Sequence, residues 1–198
     1  MTDTVIIDSG GANLASLLFA FERLGARAHV TAREAEITAA SRVILPGVGA
    51  AADAMKRLRD SGVAALLPRL QQPVLGICLG MQLLFKHSEE GSTPCLGIVP
   101  ENVRRLKAER GLPVPHMGWN QLTRLKDDPI LEGIGPEDYV YFVHSYAAPV
   151  SSVTLATADY GVALSAVVRK DNFWGAQFHP ERSAATGARL LANFLRLK

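Results

Sequence analysis

Cysteine is scarce in this chain of 198 residues: Cys78 and Cys95 are the whole supply. Two thiols do not make a disulfide scaffold. The sequence has no Cys-x-x-Cys pair and no His-Glu-x-x-His, so no metal centre is indicated and no cofactor is implied. Charge of one sign is also lacking. The formal net charge is +2 with no long basic run, which argues against nucleic acid as a partner. The densest basic patch, Arg104-Arg105-Leu106-Lys107, reads as a solvated strand edge or turn. No apolar run approaches a membrane span. The first residues, Met1 to Thr4, run straight into Val5-Ile6-Ile7 without the basic, apolar and cleavage regions of a secretory leader. A soluble protein of the reducing cytoplasm, with no membrane partner, is the expectation.

What is present is a 48% hydrophobic content, enough for a single domain over residues 1–198 with a proper core. Val5-Ile6-Ile7 reads as a buried strand. Leu14, Leu17, Leu18, Phe21 and Leu24 then recur at helical spacing up to Gly25. Ala28-His29-Val30 and Val43-Ile44-Leu45 read as further strands, with a helix from about Ala50 to Leu58. Val74 to Ile77 is a fourth strand, and Leu79 to Phe85 reads as the start of its helix. Such alternation is the signature of an α/β fold: one open, mostly parallel sheet flanked by helices. After Gly91 strands dominate, at Gly97-Ile98-Val99, Val103 to Leu106, Tyr139 to Val143, Val153 to Thr157, Ala166 to Val168 and Phe173 to Phe178. The second half therefore adds antiparallel strands before a last helix near Ala184 to Leu197.

The most informative stretch is Gly76-Ile77-Cys78-Leu79-Gly80-Met81-Gln82. A cysteine between two glycines at a strand-to-helix junction reads as a nucleophile elbow, the thiol counterpart of Gly-x-Ser-x-Gly. Glycines let the chain turn sharply and hold the nucleophile in a strained conformation. The helix N-terminus puts positive partial charge beneath the sulfur. The Leu79 N–H can point at a developing oxyanion. The plain alternative is a small buried core residue. A nucleophile needs a base, and the base an orienter. His179 and Glu181, in Gln177-Phe178-His179-Pro180-Glu181, supply both, although His-Pro-Glu also suits an ordinary surface turn. Gly47-Val48-Gly49 closes the third strand and offers a second oxyanion donor at Val48, or simply a turn. Gln82 lies one helical turn after Cys78 and can face the same crevice. Cys95 has no glycine frame and reads as core. His116 and His144 sit in aromatic-rich segments and read as core or loop histidines; His29 and His87 read as structural or solvated.

Together, Gly76 to Gln82, Pro46-Gly47-Val48-Gly49 and Phe178-His179-Pro180-Glu181 resemble the class I (triad) glutamine amidotransferases. Within that class, Pro115-His116-Met117-Gly118-Trp119-Asn120 and Tyr141-Phe142-Val143-His144-Ser145-Tyr146 resemble the glutaminase subunits of imidazole glycerol phosphate synthase. Asp8-Ser9-Gly10-Gly11-Ala12-Asn13-Leu14 also resembles that family's first loop. The resemblance implies a Cys78, His179, Glu181 triad that hydrolyses L-glutamine through a γ-glutamyl thioester. Val48 and Leu79 would hold the oxyanion, and Gly47, Gln82, Glu90, Ser145 and Tyr146 the substrate. The ammonia would pass to a (β/α)8-barrel cyclase subunit in a heterodimer, with Asn13, Met117, Trp119, Asn120, Tyr141 and Arg182 toward the partner. The oxyanion strand is expected to rest with the Val48 N–H turned away. Ser9, Ala12 and Arg182 depart from the family pattern, which usually has Tyr, Gly and Lys there. Competing expectations are the glutaminase component of anthranilate or aminodeoxychorismate synthase, a regulatory partner without catalysis, and a free-standing cysteine hydrolase. Met81 argues against the first, because those relatives usually carry His there.

Overall fold

The computed structural model describes residues 4–8, 14–123 and 126–197. In chain order its elements are β1 (Thr4–Ile7), α1 (Leu14–Arg23), β2 (Ala28–Thr31), α2 (Glu34–Ala39), β3 (Arg42–Leu45), α3 (Ala51–Asp60), α4 (Val63–Leu66), β4 (Val74–Ile77) and α5 (Leu79–Leu83). The second half comprises β5 (Phe85–Ser88), β6 (Thr93–Pro94), β7 (Val99–Arg105), β8 (His116–Gln121), β9 (Tyr139–His144), β10 (Tyr146–Ala147), β11 (Thr154–Asp159), β12 (Ala163–Lys170), β13 (Phe173–Ala176) and α6 (Ala184–Phe194). No helix among the described residues is long and apolar enough to cross a membrane. The expectation for the first loop at Ser9, Ala12 and Asn13 lies outside the described residues.

The central sheet has seven strands in the order β11-β12-β13-β4-β3-β1-β2. From β13 to β2 every pairing is parallel, and β12 and β11 extend the β13 edge antiparallel. The parallel strands are apolar throughout because both faces are covered. Side chains alternate between two cores: Ile6, Ile44 and Leu75 enter the one containing α1 and α6, while Val5, Val43 and Val74 enter the one containing α3 and α4. Arg42, at the start of β3, is buried and ties the end of α6 to the sheet. Its Nε donates to the Phe194 carbonyl at 3.2 Å and its Nη2 to that of Leu197 at 2.5 Å.

Five features differ from the sequence expectation. The two strands expected at Gly97-Ile98-Val99 and Val103 to Leu106 are one, β7, which leaves Gly97 and Ile98 outside it. The elbow helix is short: it ends at Leu83, and Phe85 begins a strand that pairs with β7. His87 therefore sits in a strand, beyond the end of that helix. Short helices α2 and α4 are added. His116–Gln121 is a strand, paired antiparallel with β9 in a two-stranded ribbon outside the main sheet. The added strands are thus shared out: two extend the main sheet antiparallel, and the rest form this antiparallel ribbon and a small mixed sheet, β10-β7-β5-β6, in which β5 and β7 run parallel.

Candidate active site

β4 lies between β3 and β13, in register Leu45↔Gly76 and Ile77↔Ala176. Three strand ends thereby meet at one crevice, where open parallel sheets bind ligands. Cys78 leaves β4 with φ +53° and ψ −112°, a conformation a residue bearing Cβ holds at a cost of about 1–3 kcal/mol. The backbone on both sides secures it: Cys78 N–H donates to the Ala176 carbonyl at 2.8 Å, and the Cys78 carbonyl accepts from Gln82 N–H at 3.2 Å. The two glycines act through contact and not through unusual dihedrals. A Cβ on Gly76 would stand 2.7 Å from the Gly80 oxygen, and one on Gly80 would stand 1.8 Å from the Leu45 oxygen. The elbow is folded against itself and against the end of β3.

His179 follows β13, and its N–H donates to the Tyr141 carbonyl of β9 at 3.0 Å. Pro180 starts a single 3-10 turn that brings Glu181 back beneath the ring. His179 Nδ1 and Glu181 Oε1 are 2.8 Å apart, and both side chains are buried. Buried Ser183 fastens the turn: its Oγ donates to the His179 carbonyl at 2.7 Å and accepts from Tyr141 N–H at 2.9 Å. His179 Nε2 is buried without a geometric hydrogen bond. Burial by itself would lower the proton affinity of this ring. The Cys78 side chain and the Glu181 carboxylate outweigh burial and push the pKa up to about 10. Both partners therefore favour a proton on the ring.

The cleft in front of Cys78 holds about 340 Å³. Val48, Leu79, Gln82, Glu90, Ser145, Tyr146 and His179 line it, so most of the residues expected around a substrate come together. Gly47 lines a smaller cavity next to it, and its Cα packs against the Leu79-Gly80 backbone. Glu90 accepts the Ala51 N–H at 2.7 Å, which fixes its carboxylate at the N-terminus of α3. Buried Gln82 directs its amide nitrogen to the Tyr146 carbonyl at 2.7 Å and to Gln177 Oε1 at 3.1 Å. Both amide hydrogens are thereby taken, and the Gln82 oxygen is what remains to offer a ligand. Gln177, fully buried and with its Nε2 4.0 Å from the Cys78 sulfur, escaped the sequence reading. A glutamine amid an apolar strand was its only signal. Cys95 stands apart from the cleft, and burial raises its pKa to about 11, which leaves an inert thiol.

The ribbon and the turn after His179 carry the remaining expected residues among those described. Met117 and Trp119 are more than half exposed, and Trp119 meets Tyr141 edge-on at 6.0 Å. The Arg182 guanidinium lies 5.0 Å above the Tyr141 ring. Asn120 turns to the other face of the ribbon, where it bonds to His116 and to the Asp159 carbonyl. On that face burial lowers the pKa of His116 and that of His144 to about 4 each. Above pH 6.5 both rings are neutral in the folded and unfolded chain alike, and their cost to stability is nil. As pH falls from 6.5 toward 4 the unfolded chain binds protons that the folded chain refuses, so stability falls. Urea titrations at stepped pH should show a loss of up to about 1.4 kcal/mol per pH unit for each ring in this window, flattened in a His116→Phe/His144→Phe variant. His179 has the opposite sign: its contribution is complete below 6.5 and is lost as pH rises through about 10.

Residues 5–197 match the family described as glutamine amidotransferase class-I. Curated relatives include the imidazole glycerol phosphate synthase subunit HisH of Xanthomonas axonopodis pv. citri (strain 306), 54% identical over 197 residues, covering 100% of this chain and 98% of the relative. The protein of the same description from Xylella fastidiosa (strain Temecula1 / ATCC 700964) is 51% identical with the same coverage. Among solved structures, a chain described as a glutamine amidotransferase superposes with a TM-score of 0.75 at 22% identity, covering 97% of this chain and 96% of the other. A glutamine amidotransferase from Thermotoga maritima gives 0.65 at 17% identity, covering 98% and 82%. Those two likenesses speak for the fold, whereas the full-length identities speak for the family. The chain belongs to the class-I glutamine amidotransferases, among the HisH subunits of imidazole glycerol phosphate synthase.

Proposed function

We propose that residues 1–198 act as one glutamine amidotransferase domain in the cytoplasm. The chain hydrolyses L-glutamine at Cys78 and passes the ammonia to a (β/α)8-barrel cyclase subunit. The observation that carries this is the union of a strained Cys78 with a His179 held by Glu181 at 2.8 Å, at one end of a cleft of amino-acid size. The Cys78 sulfur, its proton ceded to His179, attacks the side-chain amide carbon of glutamine. The carbonyl π pair moves onto oxygen, which the N–H groups of Leu79 and Val48 receive. The imidazolium of His179 gives its proton to the amide nitrogen, and ammonia leaves as the C–N bond breaks. Water then adds to the γ-glutamyl thioester, His179 takes its proton, and the C–S bond breaks to release glutamate, leaving the sulfur and the protonated ring as they began. Glu181 keeps the ring oriented throughout.

Glu90, its carboxylate anchored on α3, suits the ammonium group of the substrate, and the Gln82 oxygen can accept a further hydrogen bond from it. Gly49, at φ +88°, leaves the backbone after Val48 free to rotate, which supports an oxyanion strand that rests turned away and swings in on demand. Exposed Met117 and Trp119, with Tyr141 and Arg182 beside them, form an aromatic and cationic patch of the kind that anchors interfaces, and the cyclase docks there. Glutamate release by the purified chain, alone and mixed with the cyclase and its nucleotide ligand, tests the reading. The mixture should raise the rate by about 10²-fold or more. Full activity alone, unmoved by the cyclase, would overturn the assignment of the partner.

A further inference from the structure

The two faces of the β8–β9 ribbon differ in content. Side chains alternate along each strand, so Met117 and Trp119 point outward while His116 and Asn120 point inward, beside Phe142 and His144. On the inner face the hydrogen bonds form an unbroken file. Asn120 Nδ2 is 3.2 Å from His116 Nε2, His116 Nδ1 is 3.0 Å from His144 Nε2, and His144 Nδ1 is 2.8 Å from the Tyr146 carbonyl. That same carbonyl accepts Gln82 Nε2 at 2.7 Å. The file therefore begins beneath the exposed aromatic patch and ends in the wall of the cleft.

The sense of every bond follows from its last member. A carbonyl oxygen only accepts, so His144 Nδ1 carries the hydrogen and His144 Nε2 is a bare acceptor. His116 Nδ1 must then donate, which leaves His116 Nε2 to accept from Asn120. The amide of Asn120 agrees: its second hydrogen goes to the Asp159 carbonyl at 2.8 Å, and its oxygen accepts Gln121 N–H at 2.8 Å. Each donor meets one acceptor. A second proton on either imidazole would leave an N–H facing a donor or set two N–H groups against each other. The His116 ring is also clamped flat, stacked on Phe142 at 4.7 Å and on Tyr160 at 4.0 Å. The Tyr160 hydroxyl is itself held by the Pro113 carbonyl at 2.7 Å.

We propose that His116 and His144 are positioning residues, a locked pair of neutral imidazoles that sets the Tyr146 carbonyl and the Gln82 amide for glutamine, and so ties glutamine affinity to the placement of the aromatic ribbon. The proposal rests on the glutaminase reading and deepens it. Neither ring needs to touch the reacting sulfur. A partner pressing on Trp119 moves the backbone that also carries Asn120, and the file transmits that displacement to the cleft.

The test compares substitutions that separate hydrogen bonding from packing, each measured in the complex with the cyclase. His116→Phe keeps a flat ring between Phe142 and Tyr160 but removes both hydrogen bonds. Glutamine KM should rise about tenfold with kcat within about threefold. His116→Asn stacks poorly, yet its amide nitrogen stands near the place of Nδ1 and can donate to His144, so KM should return most of the way. The opposite ranking, with Phe harmless and Asn damaging, would mean that the ring only fills space and would overturn the proposal. Long-range proton–nitrogen spectra of the wild-type chain at neutral pH give a second readout. Both rings should carry hydrogen on Nδ1 and a bare Nε2; hydrogen on Nε2 of either ring would equally sink it. A wild-type complex unable to hydrolyse glutamine would remove the glutaminase reading instead, a failure distinct from a wrong tautomer.

Discussion

Replacing Cys78 by alanine should abolish glutamate release from glutamine, a loss on the order of 10⁴-fold or more, while the complex still makes product from added ammonia. The size of the effect follows from the role of the sulfur. Without it no thioester forms, and neither His179 nor the oxyanion donors have an intermediate to act on. The fold should survive, because alanine removes one atom whose polar contacts are long, 3.8 Å to the Val143 carbonyl and 4.0 Å to Gln177 Nε2. The substitution also has a spectroscopic consequence. The Cys78 side chain heads the influences that raise the His179 pKa, so the ring should titrate well below about 10 in the variant. Glutamine-dependent and ammonia-dependent synthesis measured in parallel check the first claim, and nitrogen shifts of His179 across pH check the second. Loss of both syntheses in a folded complex would contradict the division of labour between the subunits.

Gly80→Ala should be the most damaging single methyl group that can be added near the site. Its Cβ would lie 1.8 Å from the Leu45 oxygen and 2.8 Å from the carbonyl carbon. Both atoms are backbone at the end of a central strand, so no side chain can swing aside. Either α5 rises off β3 or β3 yields, and in each case the Leu79 N–H moves relative to Cys78. A stability loss of about 3 kcal/mol or more is expected, with glutaminase activity falling further than the folded fraction. Denaturant unfolding and activity per folded molecule, measured on the same sample, distinguish the two effects. Gly49→Ala is the useful contrast: no atom lies within 4 Å of its Cβ, and φ +88° is the only obstacle, so a milder loss of about 1 kcal/mol is expected.

The parts of this site that were legible in the sequence are those whose chemistry is local. Gly76, Cys78 and Gly80 lie within one turn of chain, and His179 and Glu181 are two residues apart. Their spacing carries their geometry. The parallel strands were legible too, because burial on both faces leaves unbroken apolar runs at Val5 to Ile7, Val43 to Leu45 and Val74 to Ile77. What stayed hidden was decided at a distance. Leu83, Leu84 and Phe85 are apolar whichever element they join; the pairing of Phe85 with Val99 makes the last of them a strand. His116–Gln121 shows no simple apolar alternation, since one face holds exposed Met117 and Trp119 and the other holds hydrogen-bonded His116 and Asn120. Gln177 is intelligible only once Gln82, 95 residues away in sequence, is seen to donate to it.

The position of β4 between β3 and β13 has a consequence for how the protein is made. Its β3 neighbour leaves the ribosome well before it, but β13 emerges about a hundred residues later. Until then the nascent chain carries Val74-Leu75-Gly76-Ile77 as a bare apolar edge, with the thiol of Cys78 at its tip. An edge of this kind invites pairing with another chain, and its late closure makes folding slow and dependent on a strand synthesised about a hundred residues later. Translation that stalls after β12 would leave a polypeptide with every described helix but α6, no triad, and its stickiest strand uncovered. Overproduced truncations ending before Phe173 should collect in the insoluble fraction, whatever the health of the full-length protein.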